Sequence, residues 1–446
     1  MNELNFIKKI TIPVFLLWFV VCSFFIWKNF NAHKCDFSMR YAEATVLRMG
    51  YNPYDVWQGK FVVEGYKPMM WDKDALENRL ADSVYAKHLS DTGSTPSGKI
   101  VQGYPPWEYM FILPFTYLPY QTGLECFALF FLVCFGVSLF LFYRFCKKHT
   151  ANNGYVFTAT TFAAFAVSYP FVFGFNCGQW TAAVLLAIIG MIYCLETKHD
   201  YFAGLCWAVA MLKPHFAVLF FIPLLLSRKW KTIATAVVFC FLLSISPAIM
   251  CKTSPVDMIV QVMIFGVPIF QGNGFVPWPI YAVLNDKLQW LAFPKFILAT
   301  GMAAGLILCA WVSNKLKNES WMRKLSAVTV ISLAWTYSHA SDFVFFVLPL
   351  SFVLLCALNR DCNPRKTGIS LRFVIVTAII VFLNCLTYET PRYHFEAFFR
   401  LPSGIIVMPL NLARSVLIPA SWVLLLWILV KHSNGDSDCD GELHAK

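Results

Sequence analysis

A few polar side chains interrupt stretches that are otherwise apolar, and their types suit proton and phosphate chemistry. Asp36 stands about nine residues beyond the first apolar run. Lys213, Pro214 and His215 break another run, and His339 and Asp342 separate two more. Arg392, His394 and Arg400 lie in a polar segment near the C-terminus, and Arg414 lies inside the last apolar run. A carboxylate is suited to general-base work, and lysine, histidine and arginine are suited to charge developing on a departing phosphate. A charge at bilayer depth costs about 2.5–3.5 kcal/mol on insertion scales, so such residues mark a functional site by default. Each also has a bland reading. Asp36 can be a solvated residue after a helix, Lys213 a snorkelling side chain, His339 a satisfied interfacial histidine, and the arginines headgroup anchors. No Walker loop, GxGxxG after a strand or HExxH occurs, so the chain offers no site for ATP or a nucleotide sugar. No dense carboxylate cluster calls for a metal, and no cofactor is expected.

The elements holding these residues belong to a membrane. Of 446 residues, 58% are hydrophobic and 14% charged, against about 25% charged in a soluble domain. Apolar runs recur from end to end: Thr11–Trp27, Leu124–Tyr143, Tyr155–Phe175, Trp180–Leu195, Tyr201–Leu212, His215–Leu226, Thr232–Met250, Leu291–Trp311, Leu325–Tyr337, Phe343–Leu358, Phe373–Tyr388 and Ile405–Val430. These predict an all-α polytopic membrane protein of about 12 helices, several shorter than the ~20 residues of a straight crossing. The net charge of +11 reflects Lys and Arg in short loops rather than a nucleic-acid partner. Lys8 and Lys9, Lys147 and Lys148, Lys198, Arg228 to Lys231, Lys315 to Lys324 and Arg360 to Lys366 all fall on one side, the cytoplasmic side by the positive-inside rule. The first run lacks a cleavage site and reads as an uncleaved helix.

This organisation predicts a single transmembrane domain over 1–432, with 28–121 as a long first non-cytoplasmic loop carrying interfacial helices. Residues 433–446 read as a disordered cytoplasmic tail. Pro114 and Pro119 cut the segment Tyr109–Tyr120, which is too short to span. Asp36, Lys213, His215, His339, Asp342 and Arg392 all fall on the non-cytoplasmic side, and that convergence argues for an outward-facing site. Most of the 15 cysteines sit inside apolar runs as small hydrophobes, and a Cys35–Cys251 pairing stays open.

Short motifs then appear in order along the chain. They are Asp36-Phe-Ser-Met-Arg-Tyr41, Gly50-Tyr-Asn-Pro-Tyr54, Tyr104-Pro-Pro106, Gly178-Gln179, Gly204 through Lys213-Pro214, Arg228-Lys-Trp-Lys231, Gly272-Asn273-Gly274 and Tyr337-Ser-His-Ala-Ser-Asp342. Together they resemble glycosyltransferase family 87, enzymes of the GT-C fold that use polyprenyl-phosphate sugars. Two departures stand out: no serine follows Asn273 in the glycine-rich element, and Phe343 replaces a histidine after Asp342. The resemblance implies an inverting transferase moving a sugar, mannose first among candidates, from a polyprenyl-phosphate donor to a glycan or glycolipid acceptor. It implies Asp36 as general base and His339 as a second catalytic residue. Tyr41, Tyr54, Tyr104, Gln179, Lys213, His215, Asn273, Asp342 and Arg392 are implied for substrate binding. The expected setting is a bacterial inner membrane with the site facing outward. The rivals are a secondary transporter, a non-catalytic membrane protein, and another GT-C activity such as pentose transfer.

Overall fold

In the computed structural model of the protein, the described residues are 20, 35–54, 104–149, 169–262, 294–335, 340–358 and 423–430. The expectations for His339, Asn273, Arg392, His394, Arg400 and Arg414 lie outside them. So do nearly all of the first apolar run, the run Phe373–Tyr388 and the C-terminal tail. Among the described residues every regular element is helical and none is a strand. A backbone surrounded by lipid must satisfy its own hydrogen bonds, and a helix does so locally.

From the segment before the first long helix come α1 (Cys35–Arg48) and α2 (Pro106–Ile112), the latter running into a 3-10 turn, Leu113–Tyr117. Pro106 opens α2 at a position where its missing N–H costs nothing. Pro114 then prevents the α-helix from continuing, so the segment Tyr109–Tyr120 forms short pieces and no span. Next come α3 (Tyr120–His149), α4 (Tyr169–Cys177), α5 (Thr181–Glu196) and α6 (Asp200–Ala210). After α6 the chain breaks into α7 (Pro214–Ala217), a 3-10 turn and α8 (Phe221–Leu226), followed by α9 (Trp230–Met250). The remainder is α10 (Pro294–Lys315), α11 (Trp321–Trp335), a 3-10 helix over Ala340–Phe346, and α12 (Val347–Leu358).

Two of these helices are long and apolar enough to cross a bilayer, over Tyr120–Lys147 and Trp230–Met250. Leu129, Val133 and Phe140 of α3, and Val237, Val238 and Leu242 of α9, are exposed, an apolar surface suited to lipid. The two apolar runs flanking Lys213 do not form full crossings. α6 has 11 residues and rises about 16 Å, roughly half the hydrocarbon thickness.

α5 is buried along most of its length, with α3 and α6 packed against it. α6 in turn lies on α9, where Gly204 makes the close approach: a Cβ there would sit 2.6 Å from the Thr232 carbonyl oxygen. α1 and α2 both lean on α9, and α1 also touches α4. The 3-10 helix carrying Asp342 lies against α4 and α11. α1 and α2, the α4–α5 turn, the break at Lys213 and the 3-10 helix therefore converge.

Candidate active site

On α1, Asp36, Arg40 and Glu43 follow one another at helical spacing and share one face. α4 ends in a Schellman turn. Gly178 takes φ +71°, its N–H bonds to the Phe175 carbonyl, and the Gln179 N–H bonds to the Gly174 carbonyl. That turn delivers the Gly178 carbonyl and the side chains of Gln179 and Trp180 to the polar face of α1.

Arg40 is the junction. Its Nε donates to Glu108 Oε1 at 2.5 Å, its Nη1 to the Gly178 carbonyl at 3.1 Å and its Nη2 to Gln179 Oε1 at 3.4 Å. Its guanidinium lies 4.3 Å from the centroid of the Tyr104 ring. Gln179 Nε2 donates in turn to Asp36 Oδ2. Trp180 Nε1 donates to Glu108 Oε1 at 2.6 Å. Arg40 and Glu108 are 4% and 1% exposed, so this is a desolvated ion pair completed by hydrogen bonds. Burial opposes the charge on Arg40, but Tyr104, Glu108 and Asp36 outweigh it and keep the guanidinium protonated. Burial raises the Glu108 carboxyl, while Arg40 and the Trp180 indole pull it back.

Beside this chain sits a second ionic group. Lys213 is buried and pairs with the buried Asp342, and His215 Nε2 lies 3.4 Å from the other oxygen of the same carboxylate. Lys213 caps the broken helix with φ −121° and ψ 75°, geometry imposed by the following Pro214. Trp107 Nε1 donates to the Met211 carbonyl at 3.0 Å, tying that break to α2 next to Glu108.

A third group lies deeper under α1. Tyr109 donates to Glu43 Oε2 at 2.9 Å, and Tyr54 donates to the Tyr104 carbonyl. Burial pushes the Glu43 carboxyl well above the usual carboxylate range, with Glu108 adding to the rise and the Tyr109 hydrogen bond and Arg40 opposing it. Burial likewise raises Tyr54, Tyr104 and Tyr109. Glu43 Oε1 and Glu108 Oε2 are buried without a hydrogen-bond partner among the described residues. No cluster of three or more metal-ligating side chains occurs among those residues.

Residues 103–338, a little more than half of the chain, match glycosyltransferase family 87. The chain belongs to that family. No curated protein and no solved structure matches it at a significant level. Membership of family 87 decides for a glycosyltransferase over the transporter and the non-catalytic protein. The matched segment begins just before Tyr104 and takes in Gln179, Lys213 and His215, whereas Asp36 and Asp342 flank it.

Of the residues singled out from the family 87 motifs, the fold brings Asp36, Gln179, Tyr104, Lys213, His215 and Asp342 to one end of the helices. Tyr41 instead braces α1 against the chain between α2 and α3. Its hydroxyl donates to the Leu118 carbonyl at 2.9 Å and its ring meets Tyr120 edge-on. Tyr54 likewise gives its hydroxyl to a backbone carbonyl. Cys251 Sγ donates to the Tyr51 carbonyl at 3.3 Å, and the Cys35 side chain is outside the described residues. The motifs gave no role to Arg40, Glu43 or Trp180. A signal for the first two existed in their spacing from Asp36, one helical face of three ionisable groups. Trp180 carried none beyond following Gly178-Gln179.

Proposed function

We propose that this family 87 protein transfers a sugar, mannose in the first instance, from a polyprenyl-phosphate carrier to a hydroxyl of a glycan or glycolipid acceptor. The reaction takes place on the non-cytoplasmic face of a bacterial inner membrane, in a GT-C domain of about 12 spans. The observation that supports it is the carboxylate of Asp36, held by Gln179 in a polar network whose α2 segment is tied through Trp107 to the break that carries Lys213 and His215. Asp36 takes the proton of the acceptor hydroxyl while that oxygen attacks the anomeric carbon. The bond from that carbon to the phosphate oxygen breaks on the opposite face, and the phosphate leaves with the electron pair, so the configuration inverts. Lys213 and His215 are the basic side chains this reading assigns to the charge that builds on the phosphate. A carrier with a long prenyl chain requires a site at the bilayer, and the half-length α6 leaves the Lys213 break within reach of such a headgroup.

The test is Asp36→Asn, which keeps size and hydrogen bonding but removes the basic lone pair. Sugar transfer by purified protein in nanodiscs falls about 10²-fold or more, roughly 3 kcal/mol in barrier, with donor binding little changed. Transfer at the wild-type rate would assign the base to another carboxylate, Glu108 or Asp342.

A further inference from the structure

Gln179 bridges two groups of opposite hydrogen-bonding character. Arg40 is donor-only, so it must meet the amide oxygen; the Asp36 carboxylate is an acceptor, so it must meet the amide nitrogen. The amide therefore has one allowed orientation, in which Arg40 anchors the oxygen and so holds the nitrogen toward Asp36. Arg40 is itself held at three points: by Glu108, by the Gly178 carbonyl and by the ring of Tyr104. Glu108 is fixed in turn by the Trp180 indole. The result is a directional chain from Trp180 through Glu108, Arg40 and Gln179 to Asp36, drawn from α1, α2 and the α4–α5 turn.

From this geometry we infer that Arg40 and Glu108 are positioning residues for sugar transfer, acting on Asp36 through the Gln179 amide and not on the substrate. The inference rests on the reading of Asp36 as the base. Without Arg40 the Gln179 amide loses the anchor on its oxygen, so it can swing with Asp36 and no longer holds the carboxylate in its working orientation. Glu108 matters because it fixes the Arg40 fork: the Nε bond to Glu108 directs Nη1 and Nη2 toward Gly178 and Gln179. Misplacement of a catalytic group by about 1 Å can cost on the order of a hundredfold in rate. A merely structural clamp would act on the fold whatever occupies position 36, whereas a positioning chain has nothing left to position once Asp36 has lost its basic oxygen.

The experiment is a double-mutant cycle in nanodiscs with a polyprenyl-phosphate sugar as donor. Glu108→Gln is the near-isosteric variant, and Arg40→Lys keeps the charge but not the fork. Each lowers kcat about ten- to a hundredfold with KM for the donor unchanged. In the Asp36→Asn background either substitution changes the residual rate by less than about twofold. Equal losses in both backgrounds would overturn the inference, because Arg40 and Glu108 would then act independently of Asp36. So would a raised KM with unchanged kcat, which would put them in contact with the substrate. If Arg40→Lys does not fold, as judged by size-exclusion and thermal unfolding, Glu108→Gln decides the matter alone. Wild-type transfer by Asp36→Asn itself would instead defeat the base assignment, an outcome distinct from additive losses.

Discussion

Lys213 and Asp342, 129 residues apart in the chain, form an ion pair with both side chains buried. One comes from the break after α6 and the other from the 3-10 helix before α12. The pair joins these two segments, and it changes what removal of Lys213 means. Read from sequence, Lys213 is a cation waiting for a phosphate, and its loss should leave the fold intact. Read in the fold, it already pairs with a buried carboxylate, and its loss removes the ammonium from Asp342 and leaves His215 beside it.

Lys213→Ala is therefore expected to destabilise the fold by less than the ~3–5 kcal/mol of a fully orphaned buried charge, because His215 stays on the Asp342 carboxylate. Asp342→Asn should cost a similar amount. The double variant Lys213→Met with Asp342→Asn should recover most of the stability, yet remain inactive if Lys213 also serves the phosphate. Thermal unfolding in detergent and transfer assays separate the two effects. Full activity in the restored double variant would confine Lys213 to a structural role.

Packing at Gly204 yields a second expectation. Its missing Cβ lets α6 lie against α9, with the Thr232 carbonyl oxygen and the Thr235 Cβ each 2.6 Å from where that atom would be. Backbone cannot rotate away as a side-chain tip can. Gly204→Ala should destabilise by about 1–3 kcal/mol and displace the Lys213 break that α6 carries. An unfolding temperature equal to wild type would show that the two helices can part at little cost.

Glu43 sets a pH dependence. Burial raises its carboxyl well above the ordinary 4.5, so the folded protein holds a proton that the unfolded chain releases. For a raised pKa, the stabilising contribution is complete below the unfolded value and is lost as pH climbs toward the folded one. Glu43→Gln mimics the neutral acid and cannot ionise. Wild-type stability should thus fall relative to Glu43→Gln as pH rises from about 4.5 through the folded value. Thermal unfolding of both proteins across a pH series checks this, and parallel curves would mean that Glu43 is not held neutral.

The residue types and their order in the chain were enough to read an all-helical membrane protein, its family and several of the polar residues that the fold gathers around Arg40 and Asp342. Periodicity and composition are local properties, and a polar group inside an apolar run announces itself because lipid penalises it. The helix break at Lys213-Pro214 was legible for the same reason, since proline acts on its own neighbours. The partners of those groups were not legible. Nothing near Lys213 in the chain points to Asp342, and nothing near Asp36 points to a glutamine 143 residues away. Arg40 reads as an ordinary helix residue until α2 and the α4–α5 turn supply Glu108, the Gly178 carbonyl and Gln179 around it. Which charges neutralise one another, and which carboxylate is left to take a proton, depends on how distant segments pack, because electrostatic energy follows distance and burial in space rather than separation along the chain.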